Sequence, residues 1–290
     1  MIEIASHPTA FDLHSYPHAP RRPSAPSLGP TVQLPRTLAR PAFAEVSREA
    51  IIAVAPELSN VPVEYIRRGL RAKANEMLAG ISALAPSHMP SSMPRSRLPH
   101  SLNVPLRATS ASQPSYPTHA LAVTSSKNPS DTATLLPVHS LVLASYCAKL
   151  PYLPSSQQKP NSQNLYLPVL PLSVPSPAAF SVLLSFMYHH RLEAVLKALF
   201  PMPAGFLQSL THEVVKGALA SGPTLHQLSS YLCSSASGNP QTLTTHALHV
   251  TELWQTMAAL GLVDPELWDI IDLAWEVILG AFNLAAAQPQ

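Results

Sequence analysis

The chain has 290 residues, enough for one large domain or two smaller ones, and 46% of them are hydrophobic while only 12% are charged. Globular chains average roughly 25% charged residues, so this one has material for a real core. Two cysteines, Cys147 and Cys233, exclude a disulfide framework, and nine glycines leave little for phosphate-cradling loops.

The net charge of +2 hides an asymmetry. Residues 1–107 hold 12 Lys/Arg against 7 Asp/Glu, residues 108–290 hold 6 against 9, and no Lys or Arg follows Lys216. The two ends are therefore expected to face each other or to face different partners. The 32 prolines are also uneven, with eight in residues 1–43 and seven in 86–117 but only five in 203–290. Proline fixes φ and lacks a donor, so its density maps the boundaries.

Residues 1–43 read as a disordered Pro-rich arm carrying Arg21-Arg22-Pro23-Ser24, a solvated tail with the makings of a kinase site or nuclear signal. The start, Met1-Ile2-Glu3-Ile4, has no secretory n- or h-region, so nucleus or cytoplasm is expected. Residues 44–84 hold N-terminal helices: a short one over 44–54 and a long one over 62–84. In the long one Ile66, Leu70, Ala74, Met77, Ile81 and Leu84 share a face. Arg67, Arg68, Arg71 and Lys73 lie off that stripe and are the candidate partner-binding residues. That face can be solvated, can dock on the acidic end or on a protein, or can contact DNA through charge.

Residues 85–117 read as a Pro/Ser-rich linker. Residues 118–202 follow with a strand at 119–124, a helix at 137–149, an extended run at 165–174, and a helix begun by Ser176-Pro177. Residues 203–290 form an acidic helical region with helices near 204–219, 223–235, 241–260 and 265–286. The last is apolar for over twenty residues. Asp269, Asp272 and Glu276 on one face argue for a core helix with an acidic strip in water over a membrane span. Trp268, Ile271, Trp275, Ile278 and Phe282 make its core face. The fold class is mainly α with a small β component, an α+β protein ending in a helical bundle.

No phosphate loop, dinucleotide fingerprint or nucleophile elbow is present, so no catalytic residue and no cofactor are assigned. His246, His249 and Glu252 lack the i, i+4 spacing of a helical zinc motif and read as a partly exposed helix face, so no metal is expected. His189 and His190 read as a helix end. His139 reads as orienting the start of its helix.

The run Leu136-Pro137-Val138-His139-Ser140-Leu141-Val142-Leu143-Ala144, with Phe180, Leu183, Leu184, Tyr188 and the strands around them, resembles the BTB/POZ fold. The usual second strand–helix unit is replaced by a polar loop over 151–164, so dimerisation does not carry over. The layout of residues 56–70 and 136–154 resembles the clampless-type proteins of mushroom-forming and smut fungi. That resemblance implies a nuclear regulator of sexual development in the mating-type pathway, acting through protein partners such as transcription factors. The alternative is a DNA-binding protein that uses residues 62–84.

Overall fold

The computed structural model describes residues 34–107, 113–127, 130–151, 153–154 and 163–287. The chain divides into Met1–Pro35 and a compact unit, Arg36–Gln290, which holds every element described below. It is an α+β protein.

The N-terminal helices are α1 (Arg48–Val54), α2 (Val63–Ala72) and α3 (Ala74–Ser82). Ser47 caps α1 by accepting from Ala50 N. The single long helix expected over 62–84 is broken at Lys73, whose φ of −97° and ψ of 9° lie outside the helical region. The break lets Ile66 turn towards Ile51 and Ala144 in one apolar cluster, while Leu84 joins Val104 and Leu167 in another. One straight helix could not serve both.

The sheet has five strands in the order β1-β4-β3-β5-β2. They are β1 (Ser92–Pro94), β2 (Ser101–Pro105), β3 (His119–Ser125), β4 (Thr132–Val138) and β5 (Asn164–Val174). Both edge strands come from the segment expected to be a linker. Each is short and bounded by proline, which suits edges, where a missing donor costs nothing. β5 changes partner along its length: Asn164 to Pro168 pair antiparallel with β2, and Val169 to Val174 pair parallel with β3. Val169 N–H donates towards the β2 side, to His100 O. By strand alternation Pro171 presents its missing donor to that same side, beyond the end of β2.

Between β4 and β5 lies α4 (Ser140–Tyr146), and α5 (Pro177–His189) follows β5 with Ser176 accepting from Ala179 N. The remaining helices are α6 (Leu192–Leu199), α7 (Ala204–Gln208), α8 (His212–Leu219), α9 (Gly222–Ser235), α10 (Pro240–Leu260) and α11 (Pro265–Ala287). Prolines at the first or second positions of α5, α9 and α10 suit helix starts, where no intrahelical donor is lost. Gly261, at φ +61°, ends α10 in the left-handed conformation that glycine adopts without strain.

α11 packs on α6, α8, α9 and α10. Leu267, Ile270, Ile271, Leu273, Trp275 and Ile278 are among its buried residues, so the tryptophan stripe is core. It is long and apolar enough to cross a membrane by length and composition, and it is the one such helix among the described residues.

The acidic strip does not face open water. Residues 36–40, expected to belong to a disordered arm, lie across it, with Leu38 buried. The rest of that arm up to residue 33, including Arg21-Arg22-Pro23-Ser24, falls outside the described residues.

Candidate interaction site

The basic residues of α2 and its end divide by what they touch. Arg67 is turned inward: its Nε donates to Ser145 O at 2.7 Å, and its guanidinium stands 5.1 Å from the Tyr146 ring centre. Burial holds its pKa below the ordinary guanidinium value, against the pull of Tyr146 and Asp264. Arg71 reaches Asp264 at 3.8 Å. Arg68 is exposed and lies 5.4 Å from the ring of Tyr65, itself 63% exposed. Lys73 is exposed at the break between α2 and α3. The charges therefore split into an inward pair, Arg67 and Arg71, and an outward set of Arg68, Lys73 and Tyr65.

The inward pair belongs to a polar junction that joins distant parts of the chain. Tyr146 at the end of α4 is hydrogen-bonded through its hydroxyl to His190 Nε2. His190 ends α5 in the left-handed conformation, at φ +50°. Its Nδ1 is 4.0 Å from Asp264 Oδ2. Asp264 caps α11 by accepting from Leu267 N at 3.1 Å. Burial, with Arg71 and Arg67 adding repulsion, pushes the His190 imidazole down to about 3, so it is neutral and the contact with Asp264 is not an ion pair. Burial raises Asp264, while the Leu267 N–H and the two arginines oppose it.

A Tyr-His-Asp sequence of contacts invites comparison with an acid–base relay. The geometry gives it a structural part. Tyr146 is wholly buried, and 4.0 Å is too long for a hydrogen bond from His190 to Asp264. Backbone pairing ties the same junction, since Ala148 N donates to Gly261 O at 3.0 Å and Val263 N to Tyr146 O at 3.0 Å.

His139 does not orient its helix through its ring. Thr118 Oγ1 does that, accepting from Ser140 N at 2.8 Å. The His139 ring instead bridges Tyr188 Oη at 2.9 Å and Ser115 O at 3.1 Å, tying α4 to α5 and to the approach to β3. On α10, the His246 and His249 ring centres lie 6.3 Å apart, and Glu252 accepts from Ser176 Oγ at 2.9 Å. Among the described residues no group of three or more His, Cys, Asp or Glu could hold a metal.

Sequence reasoning found the cations of α2 but not their division, and it missed the junction. One signal was available: Asp264-Pro265 has the residue types of an N-cap followed by a first helical position.

Fold and junction together define an α+β protein whose sheet-bearing first part and helical second part are sealed along one polar seam. Two family models match these parts in turn. Residues 41–175 match the Clampless protein 1 N-terminal domain, and residues 193–290 match the Clampless protein 1 C-terminal domain. The chain belongs to the clampless protein 1 family. That membership fits a role in clamp-cell formation and sexual development. No curated protein and no solved structure matches the chain.

Proposed function

We propose that the protein is a non-enzymatic, nuclear interaction module in fungal sexual development, acting in the mating-type pathway through protein partners such as transcription factors. The family membership supports the developmental role. The observation that carries the interaction reading is the outward set on α2. Arg68, Lys73 and Tyr65 face solvent while Ile66 and Arg67 anchor the same helix to the body. A rigid helix that presents cations beside an exposed aromatic suits an acidic protein surface.

Residues 118–202 are read as a BTB/POZ-like unit. The order strand, strand, helix, strand, helix supports that reading, as does the parallel pairing of its first and third strands. The seam to the C-terminal helices then makes the BTB-like unit and the bundle one rigid presenter of the α2 face.

The test is complementation of a strain lacking the protein, scored for clamp cells, with partner recovery by affinity purification and mass spectrometry in parallel. Arg68→Glu/Lys73→Glu abolishes clamp formation and loses specific partners while leaving the folded protein level unchanged. Full complementation with unchanged partners would overturn the reading.

Direct DNA binding through the same helix is the second reading, favoured by two outward cations, Arg68 and Lys73, on one short segment. It requires steeply salt-dependent DNA retention that the same double variant removes.

A further inference from the structure

The acidic strip of α11 has no basic residue of its own region to meet it, because residues 217–290 contain neither Lys nor Arg. Its cations come from far away in sequence. Arg36 donates to both carboxylate oxygens of Glu276, at 2.9 and 3.0 Å. Arg40 bridges Asp269 and Asp272. His212 of α8 adds a hydrogen bond, with Nε2 at 2.7 Å from Asp269. Between the two arginines, Leu38 is buried to 8% exposure, and Trp254 Nε1 donates to Ala39 O at 3.1 Å.

This arrangement has the parts of a peptide-recognition groove. It offers carboxylates that take two arginines four residues apart on an irregular segment, an apolar pocket between them, and a side-chain donor for the backbone. The occupant has no regular secondary structure. An open groove of about 470 Å³ runs beside it, bordered by Leu219, Leu225 and Trp275. Arg36 is 74% exposed at its side chain and Arg40 41%, so its ion pairs are solvent-screened and each is weak. The buried Leu38 and the Trp254 hydrogen bond add to them, and the tether supplies a high effective concentration.

We propose that the acidic face of α11 is a docking groove for a basic, non-helical peptide of a partner protein, with two arginines four residues apart around an apolar residue. Residues 36–40 are its resident, displaceable occupant. The groove is separate from the α2 face, and the proposal does not rest on the reading of that face. Occupied in cis, the groove is closed to partners, and release of the segment exposes Asp269, Asp272 and Glu276 together.

The probe is a labelled synthetic peptide with the sequence of residues 34–43, followed by fluorescence anisotropy against the full chain. The variant Arg36→Glu/Arg40→Glu repels its own segment from the strip. It is expected to bind the peptide at least about tenfold more tightly than the wild type, which holds its own copy in competition. Adding Asp272→Asn/Glu276→Gln to that variant removes the binding, as does replacing both arginines of the peptide by alanine. Should the charge reversal prevent folding, judged by the thermal melt, Arg36→Ala/Leu38→Ala/Arg40→Ala opens the groove more gently. Equal binding by wild type and a folded, opened variant would overturn the proposal, as would binding indifferent to the strip's carboxylates. Dimers formed by exchange of the segment would overturn it too, because the occupant in trans would then be a second copy.

Discussion

The Tyr188 hydroxyl accepts from the backbone N–H of His139 at 3.0 Å and meets Nδ1 of the same residue's ring at 2.9 Å. Ser115 O, 3.1 Å from Nε2, can only accept, so Nε2 carries the ring proton and donates it there. Nδ1 of the neutral imidazole is then the acceptor, and the Tyr188 hydroxyl donates its proton to it. A second ring proton would set two donors against each other at the Tyr188 end. Burial adds to this and pushes the imidazole down to about 4.

A pH dependence follows with a definite sign. The unfolded chain binds this proton near pH 6.5, and the folded chain refuses it until about pH 4. The unfolded state therefore holds more protons in that window, and stability falls as pH drops through it. His139 contributes up to about 3 kcal/mol of that loss, and His190, pushed down to about 3, works in the same direction. Thermal melts between pH 7.5 and 4.5 should show the decline. His139→Gln should lower stability at pH 7.5 yet flatten the slope.

Ser115 O is crowded from its other side. A Cβ on Gly80 would lie 1.7 Å from it, so α3 passes against this segment at a distance only glycine permits. Gly80→Ala must displace the carbonyl that holds His139, and a loss of more than about 2 kcal/mol is expected in urea titration. Gly69, inside α2, has nothing within 4 Å of its would-be Cβ. Gly69→Ala is expected to stabilise by about 0.5–1 kcal/mol, through helix propensity alone.

The division of the α2 charges separates stability from function. Arg67→Ala removes a part-buried hydrogen bond to Ser145 O and the packing over Tyr146. It should cost about 1–3 kcal/mol. Arg68→Ala touches only the exposed Tyr65 ring and should stay within about 0.5 kcal/mol. Urea titration of the two single variants checks this. A loss of DNA or partner binding in Arg67→Ala would therefore report on folding, whereas Arg68 and Lys73 report on the surface.

The elements legible in the sequence are those whose signals are local. Ser176-Pro177 carries cap and first-turn chemistry within two residues, and α5 starts where it predicts. β3 and β5 were readable as apolar extended runs. β1 and β2 were not. Three and five residues bounded by proline look like linker until β4 and β5, distant in sequence, supply partners. Charge asymmetry left open whether the basic and acidic ends face each other or different partners, and gave no sign that Arg36 and Arg40 would meet α11. Nothing local distinguishes them from the other arginines of the N-terminal segment. The seam was hidden for the same reason: Tyr146, His190 and Asp264 are brought together only by the packing of α4, α5 and α11.

Asp264 tests that seam directly. It is 4% exposed, caps α11 through Leu267 N, and lies 3.8 Å from Arg71. Burial raises its pKa, which means the folded environment favours the charge less than water does. Its worth is then mainly the cap. Asp264→Asn keeps an acceptor for Leu267 N and should cost under about 1 kcal/mol. Asp264→Ala leaves that N–H unpaired inside the protein and should cost about 1–3 kcal/mol. If the contact with Arg71 carried the stability instead, Asn and Ala would be equally damaging. Arg71→Ala would then add nothing to either, and a double-mutant cycle read by chemical denaturation separates the two cases.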